Sequence, residues 1–212
     1  MKNWPSRIEE YRKVSLDARF LTARVQGEQK ARDLLNSRLG QFNNDDLEQF
    51  LDHCNNEHVP LNVYTKQFRD IASSTRFQRS FVGNNRVLMV EYLREFNEWI
   101  PILWKSDNVT DLLDKLMRRK TIKGAGSSLP TMIMYLKCPE AYSIWFRSLS
   151  ISMGAYDNET YKTYYCVNNY YKYNNAVNES LRATFNLKPQ EIDYILYRIG
   201  IDNNNIHSLT TG

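Results

Sequence analysis

Long apolar runs are missing from this chain of 212 residues. No stretch approaches the roughly 18 uncharged apolar residues that a membrane-crossing helix needs, so a spanning protein is not expected. Met1 to Arg12 carry several charges and Pro5 where an export signal would need an apolar core, so no secretory leader is expected either. Cysteine is also scarce. Cys54, Cys138 and Cys166 are odd in number and far apart, which does not suit a disulfide framework and points to a reducing compartment, the cytoplasm. Charge of one sign is lacking too: 28 basic residues stand against 24 acidic ones, a net charge of +4. That excess permits a polyanionic partner without demanding one, so local clusters carry the argument.

The chemistry of a catalytic or metal centre is equally thin. His53, Cys54 and His58 lie close together, but a structural zinc wants about four ligands, and no second cluster supplies the rest. Ser127 and Ser128 have no histidine nearby to activate them, and no Gly-Lys-Ser/Thr ending makes a phosphate-binding loop. No metal or cofactor is therefore expected.

What is present is helical periodicity. Hydrophobic residues make up 42% of the chain, enough for one ordinary core, and strand-like alternation is rare. The expectation is an all-α fold of roughly eight to ten helices. It forms one compact domain over residues 1–201, with a polar tail over 202–212 and no internal repeat. Residues 5 to 39 should form two helices, with Gly27 and Gly40 as interruptions. Asn43 followed by Asp46 marks a helix start, and that helix should end near Asn55. Residues 57 to 80 are irregular. The apolar stretch from Asn85 to Trp104 predicts a central helix that Pro101 kinks or stops, with another helix from Asn108. Further helices are expected over 128–137, 144–153, 158–185 and 189–199, the last opened by Pro189 and closed by Gly200.

One segment carries functional information. Residues 109–137 read as a helix, a short turn with Gly124 and Gly126, and a second helix. Glycines let a backbone approach a phosphate closely, and the free amides of the following helix point at the same anion. Arg118, Arg119, Lys120 and Lys123 add positive charge, and Ser127 and Ser128 add hydroxyls, so the segment suits one DNA phosphate backbone held without base specificity. The plainer reading is a tight helix-helix turn beside a solvated basic helix end.

Seven tyrosines between Tyr156 and Tyr173 are interleaved with Lys162 and Lys172. Rings beside cations can stack unpaired bases, with Trp145, Tyr161 and Tyr165 as the candidates, though the same spacing serves a half-buried helix. Core packing is the reading favoured for these tyrosines and likewise for Trp99, Trp104 and Trp145, although Trp145, one turn from the hairpin, could line a cleft.

The run Ile122, Lys123, Gly124, Ala125, Gly126, then Thr131 in an apolar helix, then Pro139, Glu140, Ala141 and Tyr142, resembles the helix-hairpin-helix fold of DNA base-excision glycosylases. It is similar, more closely, to glycosylase-like modules of prokaryotic restriction and defence proteins, including N-terminal regions of modified-cytosine-dependent restriction NTPases. Pro139, Tyr142 and Trp145 match a Pro-x-x-Tyr-x-x-Trp type segment of those modules. Tyr173, Asn174 and Asn178 match a later helix, and Asp193 to Arg198 an apolar one, so that the likeness spans roughly 34 to 200.

Two departures limit what carries over. Where lysine-nucleophile glycosylases have their lysine, this chain has Ser127, Ser128 and Leu129, and Ile144 to Arg147 supply no activating carboxylate. The resemblance thus implies a non-catalytic module that binds duplex DNA, with a modified or flipped base as its further target. It would serve as the targeting part of a restriction or defence system beside a fused or partner NTPase or nuclease. A base-modifying or base-excising DNA enzyme, which would need Asp107, Asp111, Asp157 or Glu159 as its acid, and a helical protein-interaction module are the alternatives.

Overall fold

A computed structural model describes residues 4–15, 18–55, 84–107, 110–113, 128–144, 170–192 and 195. These residues are mainly helical and include no strand. The helices are α1 (Trp4–Ser15), α2 (Ala18–Arg38), α3 (Asn44–Asn55), α4 (Asn84–Glu91), α5 (Leu93–Lys105), α6 (Ser128–Lys137) and α7 (Tyr170–Phe185). Residues 110–113 and 189–192 are also helical. No helix among the described residues is long and apolar enough to cross a membrane.

The start of α3 follows from two side chains. Asn43 Oδ1 accepts the Asp46 N–H at 2.8 Å, and Asp46 Oδ2 accepts the Asn43 N–H at 3.1 Å. This reciprocal box satisfies amides that the helix cannot, and Asp45 and Asp46 oppose the positive helix end. Leu47, Phe50, Leu51 and Cys54 then fall on one buried stripe, and the helix is described as far as Asn55.

Two helices do occupy residues 4–38, but Gly27 does not separate them. It lies buried inside α2, on the face that also carries Arg24, Glu28 and Ala31, where packing outweighs its poor helix propensity. Gly40 does end a helix. Its φ of +77° is the left-handed region, and a Cβ built there would lie 3.1 Å from Pro101 Cγ. The chain then turns into the core, where the Asn97 side chain grips the Phe42 backbone: Oδ1 accepts its N–H at 2.8 Å and Nδ2 donates to its carbonyl at 2.9 Å.

The expected helix over 85–104 is divided at Tyr92, not at Pro101. Tyr92 has φ −102° and ψ 28°, yet helical bonds cross it, from its N–H to Leu88 O and from the Phe96 N–H to its own carbonyl, each 3.1 Å. Pro101 sits inside α5, which runs on to Lys105 because Phe96, Ile100 and Leu103 bury one continuous stripe on both sides of the proline. Nor is this the innermost element, since Val87 is 57% and Ile102 45% exposed. That place belongs to α6, whose residues 129–136 are all buried, the pattern of a helix enclosed on every side. Trp99 and Trp104 pack against the edge of the core, and Trp104 Nε1 donates to Asn36 Oδ1 at 3.0 Å.

The end of α7 is closed twice. Asn186 takes φ +50° and the Leu187 N–H reaches back to Arg182 O at 3.0 Å, a left-handed cap. Arg12 of α1 adds its two Nη groups to the Phe185 and Asn186 carbonyls at 3.2 and 3.0 Å. Pro189 then opens the next helical turn as its sequence suggests, with Glu191 Oε2 accepting the Lys188 N–H at 2.7 Å. Of the region expected to be helical from 144, Ile144 is described and is not in a helix. Residues 57–80, 158–169 and 196–212, with the segment ends expected there, lie outside the described residues.

Candidate functional site: a cavity backed by a buried ion network

A cavity of about 260 Å³ opens where the loop after α6 meets α7 and the turn at Pro189. The loop is held in place by asparagines. Asn175 Oδ1 accepts both the N–H and the hydroxyl of Ser143 at 2.8 Å, and its Nδ2 donates to Ala141 O at 2.8 Å. Asn174 Nδ2 donates to Ser143 Oγ at 2.5 Å and to Ile144 O at 3.2 Å. Arg182 bonds both the carbonyl and the carboxylate of Glu140, and Tyr142 donates to Asp107 O at 3.0 Å. Burial raises the Tyr142 phenol above its ordinary range, with Cys138 and Asp107 adding to the effect, so it remains a donor.

Tyr135 forms the floor of the cavity and ties it to a buried ion network. Its hydroxyl donates to Glu28 Oε1 at 2.8 Å and accepts from Arg24 Nη2 at 3.2 Å. Arg24 Nε reaches Glu28 Oε1 at 2.8 Å and its Nη1 reaches Gln190 O at 3.4 Å. On the other carboxylate oxygen, Arg32 Nη2 sits at 3.4 Å and Gln190 Nε2 at 3.3 Å. Arg24 and Glu28 are 5% and 6% exposed, so these charges are withdrawn from water and held by one another.

Of the residues proposed from sequence to meet DNA, Arg118, Arg119, Lys120, Lys123, Gly124, Gly126 and Ser127 lie outside the described residues, as do Trp145, Tyr161 and Tyr165. Ser128 is the first residue of α6. Pro139, Tyr142 and Asn178 line one cavity, and Asn174 bonds the loop. Among the candidate acids, Asp111 pairs with Lys172 at 2.5 Å, and the Asp107 carbonyl takes the Tyr142 hydroxyl. Asp157 and Glu159 are outside the described residues. Of the tyrosines, Tyr171 is fully buried in the core.

The roles of Arg24, Glu28, Asn175 and Arg182 escaped the sequence reading. Arg24, Glu28 and Arg32 recur every four residues on the face of α2 that also carries Ala31 and Leu35, a charged interruption of a buried stripe that could have flagged the network.

His53 and Cys54 end α3, and no group of three or more His, Cys, Asp or Glu among the described residues is placed to hold a metal ion. Burial pushes the Cys54 thiol well above its ordinary range, with Glu28 adding to it. His53 is held below its usual 6.5 by burial and then by Lys30, against an opposing pull from Asp52. Its titration gives a test. Below pH 6.5 the unfolded chain takes up a proton that folded His53 still refuses, so this contribution to stability is lost as pH falls and levels off once the folded imidazole is charged. Urea midpoints measured from about pH 7 to about pH 5 should fall, and less steeply for His53→Gln. An equal fall in the variant would clear His53 of that role.

No protein-family model, no curated protein and no solved structure matches the chain.

Proposed function

We propose that the chain is a non-catalytic module that binds duplex DNA through a helix-hairpin-helix over about 109–137, with a glycosylase-like fold, as the targeting part of a restriction or defence system. One observation carries this reading: Arg118, Arg119, Lys120 and Lys123 crowd around Gly124 and Gly126 directly before a helix. The turn supplies amides and close approach, and the side chains supply charge. Support comes also from α6, because the turn leads directly into a helix whose residues 129–136 are all buried. A site on such a support keeps its geometry before a ligand arrives.

The test is the salt dependence of binding to a DNA duplex. Replacing Arg118 and Lys120 together by alanine should weaken binding to all sequences about equally, since groups that touch only phosphate read little base information. The slope of log affinity against log salt should fall by about two units, because each missing cation leaves one more counterion on the duplex. Equal affinity and parallel slopes for the wild type and the double variant would remove the hairpin from the interface.

A further inference from the structure

Two residues that line the cavity beside α7, Asn178 and Arg182, carry polar atoms that the fold leaves unused. Asn178 is 3% exposed; its Nδ2 donates to Asn174 O at 2.9 Å, while its Oδ1 is buried with no hydrogen-bond partner. One helical turn on, Arg182 gives its terminal nitrogens to Glu140, and its Nε is likewise buried without a partner. An acceptor and a donor left unsatisfied in this way are costly, so two of them behind one cavity wall call for an explanation.

Their spacing restricts the answer. Positions i and i+4 of a helix project on the same face, about 6 Å apart along the axis. A single small group presenting an N–H beside a C=O can meet both once the Asn178 amide and the Arg182 guanidinium, whose Oδ1 and Nε lie just behind the wall, turn toward it. The charge of Arg182 is already answered by Glu140, so the wall asks for polarity and not for an anion. Tyr135, Pro139, Ile144 and Ile192 supply flat or apolar surface around it. The volume of about 260 Å³ lies just below the range of drug-sized sites, which run from about 300 Å³ upward, and so suits a smaller molecule.

We propose that this cavity binds a small neutral molecule carrying a carboxamide or lactam edge on an apolar ring. Its N–H is received by Asn178 Oδ1 and its carbonyl by Arg182 Nε. This site is separate from the hairpin and stands whether or not the hairpin contacts DNA.

Three probes of one shape decide the matter: benzamide, benzoate and benzamidine, titrated into the full chain and followed by ligand-observed NMR. Benzamide should bind in the millimolar range, and benzoate and benzamidine more weakly by about fivefold or more. Asn178→Leu should weaken benzamide on the order of tenfold, the worth of one buried hydrogen bond. Because that variant touches the core, Ala141→Trp, at an exposed position on the rim, provides a second arm and should abolish binding without loss of fold. The proposal is overturned if folded wild-type protein fails to bind benzamide, if either charged analogue binds as well, or if Ala141→Trp leaves binding unchanged.

Discussion

Replacing Glu28 by glutamine should destabilise the protein by about 3–5 kcal/mol, the cost of leaving a buried charge without its partner. The substitution keeps the shape of the side chain and removes only its charge. Arg24, itself 5% exposed, then faces a neutral amide at the place where it now has a carboxylate at 2.8 Å. Arg32, at 3.4 Å from the other oxygen, loses the same counter-charge, although it is partly exposed and water can replace some of it. The loss should appear as a lower urea midpoint with little change in slope. A control separates charge from shape: Arg24→Met combined with Glu28→Leu removes both ions, and should recover much of the lost stability because well-packed apolar pairs often replace buried ion pairs without penalty. A cost below about 1 kcal/mol for Glu28→Gln would mean that water reaches the network and that it behaves as a surface pair.

Phe96→Ala should cost a similar about 3–5 kcal/mol, but for a different reason. Phe96 is fully buried at the meeting of three rings, 5.0 Å between centroids from Phe42 and 6.1 Å from Phe50, and Phe42 lies 6.0 Å from Phe50. Removing it deletes apolar burial, takes one ring contact from each neighbour and leaves a void in the close-packed core. In a thermal scan the midpoint should drop by roughly 10 °C. Phe96→Leu should recover much of the loss, because it restores volume without the ring edges. Equal losses in both variants would place the importance of Phe96 in ring geometry and not in volume.

Local chemistry makes several elements legible in the sequence alone. The Asn43 and Asp46 box, the Gly40 turn, the span of α6 and the Pro189 start each follow from a few neighbouring residues. Tertiary context decides what the sequence pattern misses. Gly27 reads as a break only if α2 is considered alone, and Pro101 reads as a stop only if the buried stripe on both sides of it is ignored. The cavity is less legible still. Its walls come from a loop at 139–144 and a helix some thirty residues later, brought together by Asn174 and Asn175 hydrogen-bonding to the loop. No pattern within a single segment encodes that meeting.

Arg12 has a partner that the growing chain does not possess for most of its synthesis. The carbonyls of Phe185 and Asn186 that it closes lie 173 and 174 residues away. Domains made from the N-terminus assemble in the order in which their partners emerge, and α2 and α3, joined by a short turn, can pack as soon as both have left the ribosome. In contrast, the hydrogen bonds from α1 to the end of α7 cannot form until that end has been made. Helix α1, made before the other described helices, gains this partner only when the end of α7 exists, and the contact fastens the two ends of the described chain to each other.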